Sequence, residues 1–323
     1  MTFVCRARRA ALGISLDEVR VERRGFRCRD PRAAERLERV GTEFLAGYHA
    51  GLEESSVAAL AIRLNSTVEA GYRGFAFEGA AMSLTLLDRL HLARSRFGEF
   101  LQGPGEPHIY MLHVGAGWAV ARLPWLRRDP LRATRRFDPL LRWLALDGYG
   151  FHEGYFHWPR VSPLLAGYAQ RAFDQGLGRS LWFVESMDPG RIAATIDSFP
   201  LARRPDLWAG VGLACAYAGG GSFESACRLR DAATGEWMHL AQGAAFAAEA
   251  RRRAGNPSEE GDIACRALCG MPANEAAAIA REEMAGLPRD GETPAYEIWR
   301  GRIRDRMTAS AATARTAASR GNL

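Results

Sequence analysis

Hydrophobic positions recur along most of the chain at helical spacings, as expected of helices that bury one apolar face. The clearest case begins at Asp30-Pro31, where a capping residue precedes a proline suited to the first helical position. Leu37, Val40, Phe44, Leu45 and Tyr48 then fall on one stripe and predict an amphipathic helix over about 31–53. Ser55-Ser56 offers the cap of another, with Val57, Leu60, Ala61 and Leu64 as its apolar stripe. Similar periodicity predicts helices within 79–101, 139–146, 161–176, 189–198, 222–232, 236–253, 261–269, 273–284 and 295–307. Three stretches, 19–27, 108–121 and 180–184, read instead as extended or irregular. The expected fold class is mainly α, a single helical domain with a minor extended or strand element.

The expected organisation is an N-terminal basic segment over 1–30, the helical domain over 31–307 and a disordered tail over 308–323, where Ala, Thr, Ser and Arg leave little to bury. The Pro- and Gly-containing stretches at 101–107, 124–130 and 286–294 are short and bordered by apolar anchors, so none reads as a linker. A weak internal duplication is suggested by Leu45-Ala46-Gly47-Tyr48 and Leu165-Ala166-Gly167-Tyr168, and by Gly71-Tyr72-Arg73-Gly74-Phe75 and Gly148-Tyr149-Gly150-Phe151.

Composition narrows the chemistry. The 323 residues are 47% hydrophobic and 25% charged, with 43 basic and 37 acidic side chains, and every basic one is arginine. Without lysine there is no Schiff-base nucleophile, no pyridoxal-phosphate anchor and no phosphate-loop lysine. Residues 1–40 hold 11 Arg against 6 acids, and 301–323 hold 5 Arg against one Asp, so the net charge of +6 belongs to the ends. Solvated termini explain that better than a nucleic-acid-binding face, which needs a basic patch on the folded body. No apolar run of secretory-signal or membrane-spanning length is expected, and a cytoplasmic location follows. Six scattered cysteines suit reduced thiols, with Cys265 and Cys269 on one helix face as buried apolar groups rather than metal ligands.

Two segments concentrate the candidate chemistry. Residues 147–158, Asp-Gly-Tyr-Gly-Phe-His-Glu-Gly-Tyr-Phe-His-Trp, make a poor helix and suit a place where backbone approaches a ligand among rings. Residues 71–79 set Glu78 between apolar neighbours at the start of an apolar helix. Glu78 is either a first-turn acid paired with Arg73 or a buried acid with a raised pKa that works with Glu153 and His152 as catalytic groups. Two carboxylates with a histidine could also hold iron for oxidative chemistry, although the Glu-x-x-His pairs of di-iron bundles are missing and the metal is left unknown. His152 and His157 are five apart, about 140° on a regular helix, so convergence on a metal would need an irregular turn. The rings of Tyr72, Phe75, Phe77, Tyr149, Phe151, Tyr155 and Trp158 would line a site for an elongated apolar ligand.

Arg73 to Ala81, Asp147 to Gly154, Phe173 to Arg179, Asp206-Leu207-Trp208, Ala241 to Ala248 and Pro294 to Glu297 also resemble a family. It is the domain-of-unknown-function family encoded in actinobacterial enediyne gene clusters, beside the polyketide synthase that makes the core polyene. The resemblance runs from about Gly25 to Trp299. It implies a protein of enediyne biosynthesis acting on the linear polyene precursor, in an oxidative or cyclising step. It also allows, as alternatives, a non-catalytic polyene carrier or a scaffold partner of the polyketide synthase or of other accessory proteins, and a homodimer. It supplies no catalytic residue.

Overall fold

In the computed structural model, which describes residues 3–90, 95–161 and 164–320, seven long helices follow one another side by side. They are α1 (Pro31–Glu53), α2 (Arg73–Leu90), α3 (Ile109–Arg122), α4 (Arg142–His157), α5 (Tyr168–Val184), α6 (Arg204–Ala218) and α7 (Trp237–Arg253). An eighth, α8 (Ala295–Arg320), lies against α7. Neighbours in the series run the same way. Trp143 meets Tyr168 at the start of α4 and α5, and Phe151 meets Phe183 towards their ends. Likewise Arg171 bonds Asp206 early in α5 and α6, and Trp182 reaches the Gly219 carbonyl just past α6. Shorter helices such as Val57–Thr67, Pro189–Asp197, Phe223–Ala232 and Glu259–Cys269 carry the chain back between them.

The helix starts follow the local grammar of the sequence. Asp30 accepts from the Arg32 N–H at 2.9 Å with Pro31 in the first turn, and Ser56 accepts from Ala59 at 3.2 Å. Asp129-Pro130 and Asp188-Pro189 repeat the first arrangement, each aspartate capping the residue three ahead at 2.9 Å.

What packs the series is small residues at the crossings. A Cβ on Gly115 would fall on the Glu78 carbonyl of α2, and one on Gly117 on the Ala145 carbonyl of α4. Gly148 and Gly150 meet α3 and α5 in the same way, Gly176 and Gly178 meet α4 and α6, and Gly210 and Gly212 meet α5 and α7. Each Gly-x-Gly thus turns one glycine to the helix before and one to the helix after. This is the repeat of the fold. Leu45–Tyr48 and Leu165–Tyr168 are not equivalent positions, since Gly47 sits inside α1 against Ala76 whereas Gly167 precedes α5 with φ of +57°.

The series curls until its end meets its beginning. Arg36 of α1 donates to the Ala218 carbonyl at the end of α6 at 2.9 Å, and Arg251 of α7 donates to the Gly71 carbonyl before α2 at 3.3 Å. An interior is enclosed, and α8 covers part of it with Tyr296 and Trp299 packed on Phe246. The molecule is one mainly α domain, and no strand is present among the described residues.

The three stretches expected to be extended are therefore corrected. Residues 108–121 lie almost wholly in α3, where every residue from Tyr110 to Ala121 is buried. A helix buried on all sides has no polar face, so its periodicity disappears and its run of apolar residues imitates a strand. Residues 180–184 end α5 for the same reason. Residues 19–27 hold the short helix Val21–Arg24, closed by Gly25 at φ of +71°. The segment 147–158, expected to be a poor helix, lies in α4 up to His157, with its glycines spent on helix contacts.

The N-terminal basic segment is docked. The helix Phe3–Leu12 offers the Leu12 carbonyl to the Tyr48 hydroxyl at 2.7 Å, Arg9 pairs with Glu53 at 3.2 Å, and Phe26 packs edge-on against Tyr155. At the other end α8 continues as helix through Arg320, across the stretch read as a tail, and residues 321–323 lie outside the described residues. No described helix is long and apolar enough to cross a membrane.

Candidate functional site

Two apolar cavities occupy the interior, with a polar waist between them. The larger is walled by α1, α2, α3, α4, α5 and α6, through Phe44, Phe75, Trp118, Phe151, Tyr155, Phe183 and Leu213. Ile14 and Val19 of the N-terminal segment close one side. The second lies toward α7 and α8 and is lined by Met111, Val114, Leu144, Phe246, Tyr296 and Trp299. Arg179, Leu213 and Tyr217 line both.

At the waist α2, α3, α4 and α6 each contribute one polar group and α5 contributes two. Trp118 Nε1 donates to Glu78 Oε1 at 3.0 Å, and the Arg179 guanidinium stands 4.0 Å from the same oxygen. Arg179 also pairs directly with Asp147, whose second oxygen accepts from Gln175 Nε2 at 2.8 Å. All of these groups are buried. Asp147 already balances the charge of Arg179, so Glu78 is the surplus anion of the cluster. Burial pushes the Glu78 pKa up to about 7 against the opposing pull of Arg179 and the Trp118 N–H, and Asp147 adds repulsion. A carboxyl in this state can give or accept a proton near neutrality.

Tyr217 completes the waist. Burial raises its pKa to about 12, so it stays a phenol, and its hydroxyl has no hydrogen-bond partner among the described residues. Gly74 makes room for that hydroxyl, because a Cβ there would collide with it. A buried hydroxyl without a partner is a rarity that calls for a reason, and a polar atom on a bound molecule would supply one.

The residues expected from sequence divide into groups. Glu78, Phe75, Phe151 and Tyr155 line the larger cavity. His152 and Glu153 do not. They lie on the far side of Trp118, with His152 edge-on to that ring at 5.6 Å and its Nδ1 3.3 Å from Glu153 Oε1. Trp118 therefore stands between Glu78 and the His152–Glu153 pair. Tyr72 packs under Arg36 and Arg39, Phe77 stacks on Phe100 and His108, Tyr149 meets Phe173 edge-on, and Trp158 stacks on Phe199. Nor do the glycines of the two segments face the cavity as a group: Gly148 and Gly150 face neighbouring helices and Gly154 faces Ser180.

Trp118, Asp147, Arg179 and Tyr217 were missed by the sequence reading. One signal existed for Arg179, a lone charge among Leu177, Leu181, Trp182 and Phe183 on a helix buried throughout that stretch. Cys265 and Cys269 are buried, with their thiols directed at the Ala244 and Ala241 carbonyls of α7.

A family model described as "Protein of unknown function (DUF1702)" matches residues 3–307. No curated protein and no solved structure matches the chain.

Proposed function

The chain belongs to the DUF1702 family of proteins of unknown function, and on the geometry of its interior we propose that it binds an elongated apolar molecule across the waist and acts on it through Glu78. The carrying observation is the pairing of an apolar slot with one carboxyl that titrates near neutrality at its floor. An apolar chain gains about 0.8 kcal/mol per buried CH₂ there, and aromatic walls supply area at little side-chain entropy cost.

The resemblance to the enediyne-cluster family makes a linear polyene the substrate class and an oxidative or cyclising step of enediyne biosynthesis the process, in the cytoplasm. Glu78 supports the cyclising alternative, which moves protons without a change of oxidation state. It can lend a proton to one carbon of the bound chain and take one from another, with Arg179 fixed beside it to favour the carboxylate that exists in between. The carrier reading draws on the same apolar lining and needs no proton transfer.

Binding and chemistry are tested separately. Titrating the protein with a linear polyene or a long fatty acid should change its tryptophan fluorescence saturably, because the Trp118 ring forms part of the wall. Phe151→Ala should weaken binding by roughly 5- to 150-fold, the equivalent of ~1–3 kcal/mol. Glu78→Gln should keep binding and lose product. Product formation that survives this change assigns the protein to the carriers, and the absence of saturable binding by the unaltered protein overturns both readings.

A further inference from the structure

On the far side of Trp118 from the cavity, the C-terminal turns of α4 bring His152, Glu153 and His157 together. The nearest pairs of atoms are His152 Nδ1 to Glu153 Oε1 at 3.3 Å and His157 Nε2 to the same oxygen at 4.0 Å, and one donor atom from each residue lies within 4.8 Å of the others. The five-residue spacing of the histidines does not prevent this. Glu153 and His157 are one turn apart on one face, and His152 reaches Glu153 from the adjacent position.

We infer that these three side chains form a binding site for one divalent transition ion of the zinc, iron or cobalt class. Two imidazoles and a carboxylate are the donor set such ions take, with the remaining positions left to water or a ligand. Bonds of about 2.0–2.1 Å place donor atoms a little over 3 Å apart, so a small rotation of the half-exposed His157 closes the set. Two further observations favour an ion over a merely satisfied cluster. Glu153 is buried, and among the described residues no arginine pairs with it, although arginines outnumber all acids in this chain. The edge-on Trp118 ring and the Phe156 ring, 4.9 Å from His152, wall the inner side with apolar surface and leave His157 as the opening.

This site is independent of the cavity, and its test is independent too. Protein stripped with a chelator is titrated with Co²⁺, followed by visible absorption, and with Zn²⁺, followed by calorimetry. One equivalent should bind saturably, and His157→Ala should weaken binding at least tenfold while His239→Ala leaves it unchanged. The fluorescence response to apolar ligand should be the same for His157→Ala as for the unaltered chain. Glu153→Gln should weaken the ion in the same way. If it does not fold, the half-exposed His157 still decides the matter. No saturable Co²⁺ or Zn²⁺ binding, or binding that His157→Ala leaves intact, overturns the site.

Discussion

Glu78 is unusual because its folded state holds the proton more firmly than its unfolded state. Its value of about 7 lies above the ordinary 4.5, so this residue's contribution to stability is complete below about pH 4.5 and is lost as pH rises through 7. Glu78→Gln removes that titration. Between about pH 5 and about pH 8 the unaltered protein should therefore lose more stability than the variant, by up to about 3 kcal/mol, read as the shift in urea midpoint. Identical pH profiles would show that Glu78 titrates normally. The residue was legible in the sequence as an acid among apolar neighbours. Its neighbours were not, because Trp118, Arg179 and Asp147 stand on three other helices and no local spacing joins them.

At the scale of the element, the glycines have two fates that substitution can tell apart. Gly150 lies where a Cβ would strike the Phe173 carbonyl of α5, backbone against backbone, so neither helix can yield without opening the crossing. Gly150→Ala should destabilise by ~1–3 kcal/mol or more. Gly71, in the 3-10 turn before α2, has nothing near its Cβ position and no positive φ, so Gly71→Ala should be neutral or gain up to about 1 kcal/mol. Thermal melts of the two variants decide it. Helix starts such as Asp30-Pro31 were readable because a cap is a contact between residues two or three apart. The buried helices α3 and the end of α5 were misread, because complete burial erases the polar face from which a helix is recognised.

For the whole molecule, one buried ionic network fixes the last helix on the series. Arg300 of α8 is fully buried and bonds Asp206 at 2.7 Å, Glu297 at 3.0 Å and Gln242 at 3.0 Å, while Arg171 and Arg304 share Glu297. Burial pushes the Glu297 pKa upward, but Arg300, Arg171 and Arg304 outweigh it and hold the carboxyl down to about 2. A depressed carboxyl stabilises above its ordinary value of 4.5 and loses that contribution as pH falls through 2, so acid should loosen α8 within that window. Arg300→Met leaves Asp206 and Glu297 buried without their central cation and should cost about 3 kcal/mol near neutrality, measured by denaturant unfolding. By itself the sequence determined the helical class, the capped starts, the lysine-free chemistry and the two segments that hold Glu78 and the His152–Glu153–His157 group. These depend on composition and on contacts within a turn or two of chain. Only the tertiary structure decided that the glycines pack helices, that Glu78 faces a cavity with Arg179 and Tyr217, and that Trp118 separates it from Glu153. Those relations join residues tens to more than a hundred positions apart, and they exist only once the parallel helices have curled around a common interior.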